Sequence, residues 1–559
     1  MEHTISRRGF LRTGFAGGAA VAAAAASGSA LAADLYRPGT YSAKAPGIGG
    51  DVIVTMTFGK NKITDVVIDA GKETPGIGQA AAPMLKKLIL AKQSAKIDVV
   101  TGASISSNAV VKAAAKCIAQ AKGEIPVEQV TTKAAEAKKD GDWLGKAPEI
   151  AEKDIKSTVT TDIVVVGCGT GGMFAVAAAA EAGGKVIGID RYPVGTGIRE
   201  DLGAIDSRYQ KKWGTKIDKF EYIAMATQYA GGHLSQELVK LFCDESGATI
   251  DWLGDRCEER GVELWHESGD ENDDARYKHF PTGHSPRLPK DKNGRITMRL
   301  NEIVHDYAVK KGARFDYSTR MVKLEKNAKG RVTGLIAQNA DGDYVRYEAK
   351  KGVVVATGGY ARDYDMVEAL QPWNLRIVGT TSAMPGATGD GIRACLWVGA
   401  KMDETHSMMM FDRCAIHPNQ IPGRETIESG ENRIFWMASQ PWLKVNKDGK
   451  RFMNESGTYE NILHADEYQK DHAHYTLFDS NWVKYAEQFK MHGCSRLFPF
   501  ANGADPNIPW QVIQNKHMPD LIEHGFLVKA DTIEELAKKL GLPVAQLNAT
   551  VARHNELYR

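Results

Sequence analysis

No C-x-x-C pair occurs among the seven cysteines, Cys117, Cys168, Cys243, Cys257, Cys395, Cys414 and Cys494, which are scattered along the chain. That excludes the usual spacings of a zinc site, an iron–sulfur cluster and a disulfide framework, and the absence of C-x-x-C-H excludes c-type haem in this chain. No metal site is predicted. Charge of one sign is equally lacking: 71 Lys and Arg stand against 69 Asp and Glu, so neither nucleic acid nor an anionic surface is indicated as a partner. Long apolar runs are missing too. The Ala-rich stretch after Phe10 is broken by Gly and Ser, which is too interrupted for a stable membrane span. No internal repeat is visible, and a chain of 559 residues should hold about two to four domains.

What the N-terminus does have is Ser6-Arg7-Arg8-Gly9-Phe10-Leu11, a weakly hydrophobic core, and Ala30-Leu31-Ala32. A twin arginine followed by such a core and an A-x-A site predicts a secretory signal of the twin-arginine type at residues 1–32. The mature protein is then expected in the periplasm or at the cell surface. Removing that segment takes away three Arg and one Glu and leaves the two signs equal. The twin-arginine route exports folded proteins, which suits a chain that must load a cofactor first.

Further on, Asp98-Val-Val-Thr101-Gly102-Ala103-Ser104 runs straight into a helical stretch, Ser106 to Ala121, with Val110, Val111, Ala114, Cys117 and Ile118 on one face. A helix start carries unpaired N–H groups and positive partial charge, so a phosphodiester on Ser104 would sit where an anion is favoured. The alternative is that Ser104 and Ser106 are ordinary helix caps. Before this motif come two strand-like runs, Gly50 to Phe58 and Ile63 to Ile68, split by a Gly-Lys-Asn-Lys turn. Glu73-Thr-Pro-Gly-Ile-Gly78 and an amphipathic segment from Ala80 to Leu90 follow. This order resembles the FMN-binding domain of sodium-pumping quinone reductases and secreted flavin reductases. The resemblance covers residues 35–124 and implies FMN esterified through its phosphate to Ser104 by a flavin transferase.

Residues 125–157 are Lys-, Ala- and Glu-rich without a sustained apolar period and read as a linker. Beyond it, Asp162-Ile-Val-Val-Val leads into Gly167-Cys168-Gly169-Thr170-Gly171-Gly172, then a helix from Met173 to Ala182 and a second strand ending at Asp190. A strand entering G-x-G-x-x-G lets backbone approach a pyrophosphate at the helix start, and an acid at the spacing of Asp190 hydrogen-bonds an adenosine ribose. A dinucleotide site is predicted.

Which dinucleotide is suggested by a buried strand, Gly352 to Val355, ending in Ala356-Thr357-Gly358-Gly359, and by Gly389-Asp390 opening a helix. With Ile250 to Leu253 and the strand pair Met321 to Leu324 and Arg331 to Ile336, these segments resemble the fumarate reductase and succinate dehydrogenase flavoprotein family. The nearest type is exported and carries an FMN-binding domain, similar to urocanate, fumarate and enoate reductases, or to flavocytochrome c without its haem. The resemblance implies FAD, with Ala356, Thr357, Gly358, Gly359, Gly389 and Asp390 touching it and Val322 contacting the adenine side through its backbone. It also implies the fold class. A Rossmann-like α/β FAD domain (158–411) is expected, with an α+β clamp domain (412–559) and the small N-terminal α+β FMN-binding domain. Two departures stand out: Asp190 replaces the usual Glu, and the loop Gly195 to Ala204 lacks the family's G-G-N.

In the clamp, Cys414-Ala-Ile-His417-Pro418 matches the family's active-site H-P, and Val445 to Glu455 matches V-N-x-x-G-x-R-F-x-N-E. Family members place an arginine four residues later to protonate the substrate carbon; this chain has Tyr459. The expected chemistry is hydride transfer from reduced FAD to the β-carbon of an activated alkene and proton transfer to its α-carbon. Tyr459, eased by Glu455, Glu460 or His417, is a candidate donor; the alternative is a packed clamp residue. His417 is read as a substrate or flavin contact, against a core histidine. Where dicarboxylate reductases carry Thr, Glu and Arg, this chain has Ile434, Phe435 and Ala438, which suits a larger or less charged substrate than fumarate. The family's return segment to the FAD is not found before Arg559, so the clamp reads as truncated. Electrons are expected from a membrane quinol dehydrogenase or another donor through FMN to FAD. The alternatives are a dehydrogenase of the ketosteroid type and a non-catalytic FMN electron carrier.

Overall fold

A computed structural model of the chain describes residues 35–558 apart from 48–50, 72, 74–77, 98–102, 128–141, 196, 198–199, 267–279, 293–295, 404–405, 407, 409, 456, 458, 490–495, 500–502, 504 and 507. The expected signal peptide, the Asp98 to Gly102 part of the FMN motif and Cys494 lie outside the described residues. So do the side chains of Ser104, Tyr459 and Glu460, whose backbone is described.

The N-terminal unit is an antiparallel meander, β1 (Gly39–Pro46), β2 (Asp51–Phe58) and β3 (Ile63–Asp69), packed on α1 (Gly78–Lys92) and α2 (Ser104–Lys122). Strand periodicity explains the packing: Val52, Val54, Met56 and Phe58 alternate inward along β2. They meet Leu85 and Ile89 of α1 and Val110, Ala114 and Cys117 of α2 in one core. α2 stops at Gly123, whose φ of 75° lets its N–H bond to Gln120 while the next N–H bonds to Ala119, the left-handed ending that glycine permits.

The second unit is built on a six-stranded sheet. β4 (Ile155–Val166) runs parallel to β5 (Val186–Ile189) on one side and to the strand Tyr344–Val355 on the other, with α3 (Thr170–Glu181) as the crossover. The strand Arg314–Asp316 continues beyond β5 in parallel, and the antiparallel pair Arg320–Lys326 and Val332–Gln338 closes the opposite edge. Every residue of β5 is buried, as expected where both faces of a parallel sheet are covered.

Two expectations are corrected here. β4 begins at Ile155, inside the presumed linker, because its first residues, rich in Lys, Ser and Thr, pair with Tyr344 to Ala349 where the sheet is solvated. The segment before it is also anchored. Arg393 Nε donates to Trp143 O (2.7 Å) and Trp397 Nε1 to Gly145 O (3.2 Å). The run Gly352 to Val355 is a strand but not a buried one, with Val354 at 41% exposure. A β-branched run reports extended backbone, not how many layers cover it.

Residues from Cys414 onward form a lobe of short helices and two-stranded ladders, Cys414–Ala415 with Arg433–Ile434 and Leu443–Val445 with Tyr475–Leu477. Phe435, Met437, Trp442, Trp482 and Ile513 form one of its cores, and Val445, Ala537 and Leu547 another. Between this lobe and the second unit lies a cavity of about 1550 Å³.

Candidate active site and cofactor sites

The glycine-rich loop leaves β4 at Gly167, whose φ is 90° and whose added Cβ would meet Ala356 O at 2.5 Å. A Cβ on Gly172 would strike the Gly167 carbonyl. These two glycines therefore let α3, the loop and the Ala356 to Gly359 segment close on one another. Gly169 precedes α3 in extended conformation with no side-chain cap, a helix start that suits an anion. Gly171, Gly358 and Gly359 face open space, which leaves room for a ligand against the backbone.

Asp190 ends β5 beside this loop. Its carboxylate accepts from Cys168 N (2.6 Å) and Tyr192 N (2.9 Å), and burial raises its pKa against those bonds. Asp390 follows Gly389 at the start of the helix Asp390–Trp397 and pairs with Arg320 (2.9 Å) and Arg191 (3.4 Å). Burial opposes its charge, but the two guanidinium groups outweigh burial and hold its pKa below the ordinary value. Gly391 packs this helix start directly on Thr357. The loop, Asp190, Ala356 to Gly359 and Gly389-Asp390 thus meet around the C-terminal ends of parallel strands, where an open α/β sheet binds ligands. This donor set fits FAD.

Val322 lines a smaller cavity of about 860 Å³ with Arg191, Arg320 and Asp390, and the N-terminal unit contributes Glu73 and Gln79 to the same cavity. The buried Glu73 accepts the hydroxyl of Ser106, so Ser106 is not the cap of α2. The cap position is Ala103, with no side-chain hydrogen bond, and Ser104 is the first helical residue. An uncapped helix start fits a phosphate there. Gly78 explains part of the Glu73 to Gly78 motif: a Cβ there would press on Ser106 Oγ at 2.5 Å and Glu73 Cβ at 2.8 Å.

The larger cavity carries His417 on its wall, with Ile434, Phe435, Trp436 and Ala438 as an apolar face. His417 is no core histidine. Its side chain is 33% exposed, its ring stacks on Phe526 at 4.1 Å, and Nε2 lies 3.7 Å from Glu431. Tyr459 opens the helix Tyr459–Glu467, which sends Leu463 and Asp466 to the cavity. Glu455 is not available to help Tyr459, because Arg451 grips it with Nε (2.9 Å) and Nη2 (2.6 Å). Burial raises the Glu455 pKa, but Arg451 outweighs it and the net shift is downward. Tyr364 and Ile427 line both cavities, so the two adjoin.

A family model described as FAD binding domain matches residues 162–559, and one described as FMN-binding domain matches residues 47–119. The chain belongs to the FAD-binding-domain family. It is similar to an NADH:acrylate oxidoreductase of Vibrio harveyi, 26% identical over 595 residues covering 93% of this chain and 52% of the relative. It is also similar to a urocanate reductase of Eggerthella lenta, 26% identical over 570 residues, 99% of this chain and 83% of the relative. A vinyl phenol reductase of Lactiplantibacillus plantarum is 26% identical over 402 residues, 71% and 76% of the two chains. The chain spans about half the length of the acrylate oxidoreductase it matches.

Sequence reasoning missed part of the cavity of this FAD-binding-domain protein. Arg413 lies between the rings of Phe411 and Trp436, 4.4 Å from each centroid, and Asp412, Asp466 and His474 also reach the wall. One signal was present: Lys444 interrupts the apolar run Trp442 to Val445, and it is fully buried.

Proposed function

We propose that this chain is an exported flavin-dependent reductase that transfers hydride from FAD to an α,β-unsaturated acid or related alkene, with FMN on Ser104 relaying electrons from a respiratory donor. The observation that carries this reading is the joint presence of an FMN-binding domain, an FAD-binding domain and a cavity walled by His417. An FMN tethered through its phosphate cannot diffuse away outside the cytoplasm, while FAD supplies hydride chemistry when bound. The chain's own residues hold and orient. The start of α3 and the open glycine faces receive a pyrophosphate, Asp190 and Asp390 brace the surrounding loops, and residues 412–559 act as the clamp that keeps water from the reacting bond.

Ile434, Phe435 and Ala438 make one face of the wall apolar, which favours a substrate larger or less charged than a dicarboxylate. Relatives named for acrylate, urocanate and vinyl phenol agree with an alkene as substrate class. The twin-arginine segment supports export, a membrane quinol dehydrogenase is the proposed electron source, and a flavin transferase attaches the FMN. To test this, the full chain is co-expressed with a flavin transferase, its covalent and released flavins are weighed by mass spectrometry, and enoates are screened with reduced viologen. An FMN adduct on the Ser104 peptide, lost in Ser104→Ala, and enoate reduction faster than fumarate reduction are expected. Absence of the adduct removes the tether; fumarate turnover equal to the best enoate removes the substrate assignment.

A further inference from the structure

Three buried ionisable side chains, Asp412, Lys444 and Asp466, cluster with His474, whose side chain is 9% exposed. Lys444 Nζ donates to Ala438 O (2.9 Å) and Gln440 O (3.2 Å) and lies 3.0 Å from Asp412 Oδ2. His474 Nδ1 faces both oxygens of Asp466 at 2.9 and 2.8 Å, which fixes the ring. Nε2 is 3.7 Å from Asp412 Oδ1, too far for a hydrogen bond.

Charge counting then assigns the protonation state. Two enclosed carboxylates beside one ammonium leave one negative charge unbalanced, which a protein interior does not tolerate; one proton held by the Asp466–His474 pair restores neutrality, burial raising the Asp466 pKa while its contact with Nδ1 draws the proton toward the ring as an imidazolium. Burial disfavours that charge, but Asp466 and Asp412 outweigh it and hold the His474 pKa above the ordinary value, while Lys444 pulls the other way. Phe452 lies 6.1 Å from the ring, Lys447 is bound to Asp471 at 2.6 Å, and Arg413, which follows Asp412, is held between the rings of Phe411 and Trp436. Asp412, Asp466 and His474 all line the cavity that His417 lines.

We propose that His474, oriented by Asp466, is the proton donor of this chain's alkene reduction, an inference that rests on the reductase reading above. As hydride from reduced flavin forms the C–H bond at the β-carbon, the proton on Nε2 forms the C–H bond at the α-carbon. The C=C bond gains two electrons and becomes a single bond, and the imidazole is left neutral between two carboxylates. That imbalance draws a proton back from water in the cavity.

The test uses the full chain carrying both flavins, reduced viologen and the best enoate. His474→Gln is expected to lower kcat by about 10²-fold or more, with KM and FAD content unchanged. It should also abolish the fall in activity that the wild type shows as pH rises through the His474 pKa. Asp466→Asn keeps the ring but removes the charge that raises its pKa, so the same fall moves to lower pH; this variant also serves if His474→Gln does not fold. Tyr459→Phe, which deletes the competing hydroxyl, should leave the fall in activity at high pH in place. Wild-type kcat and pH profile in His474→Gln overturn the proposal, as does loss of the high-pH fall in Tyr459→Phe with that fall intact in His474→Gln. A doubly flavinylated wild type that reduces no alkene overturns the reductase reading and this proposal with it.

Discussion

Mild acid should loosen the small three-stranded sheet of Leu202–Gly203, Gly283–Pro286 and Leu264–His266 before the rest of the protein. His284 is completely buried there, donating from Nδ1 to Thr282 O (2.8 Å) and accepting at Nε2 from Ser207 Oγ (2.7 Å). The same serine caps a short helix by accepting from Gln210 N (3.1 Å). His266 stands 5.2 Å away, ring to ring, and is held in the same manner by Gly283 O and Thr215 Oγ1. Burial, then the neighbouring His266, push the His284 pKa down to about 4, and burial lowers that of His266 as well. A histidine whose folded pKa lies below its unfolded value of about 6.5 contributes stability that is complete above 6.5 and is lost as pH falls toward 4. For His284 the loss is about 2 kcal/mol at pH 5, or roughly 30-fold in the local opening constant, and about 3 kcal/mol at pH 4. Hydrogen exchange of amides in Gly283–Pro286 and in the helix Arg208–Trp213, corrected for intrinsic rates, reads that opening locally. The comparison is wild type against His284→Gln at pH 7 and pH 5, because carboxylates titrate equally in both. An equal pH response in the two proteins would refute the buried-neutral assignment.

Two further outcomes follow from the geometry. Gly172→Ala places a methyl group against the Gly167 carbonyl, so the purified variant should carry little FAD while its FMN content, measured on the same sample, stays at the wild-type level. Lys444→Met leaves Asp412 without its ammonium and should lower stability by about 3–5 kcal/mol, read as an earlier unfolding midpoint in denaturant; Asp412→Asn in the same chain should restore much of it.

The parts of the site fixed by local spacing were legible in the sequence. Gly167, Gly172, Asp190 and Gly389-Asp390 are set by a strand, a turn and a helix start, so short-range residue order encodes where their backbones go. Asp412, Lys444, Asp466 and His474 come from separate elements, and nothing local to any of them announces the other three. Glu455 shows a further limit: it is one of three candidate neighbours of Tyr459 that sequence distance cannot separate, and Arg451, four residues before it, binds both of its oxygens. The start of β4 carries no signal in the sequence for a related reason, since strand residues outside the core need no apolar period.

Glu73 and Gln79 of the N-terminal unit share one cavity with Arg191, Arg320, Val322 and Asp390 of the sheet unit. A molecule bound there touches both units at once. Its affinity is therefore also a contribution to the affinity of the two units for each other, and by linkage the reverse holds equally. Whatever pries the units apart must weaken the ligand, and whatever saturates the site must stiffen the joint: occupancy and orientation form a single equilibrium.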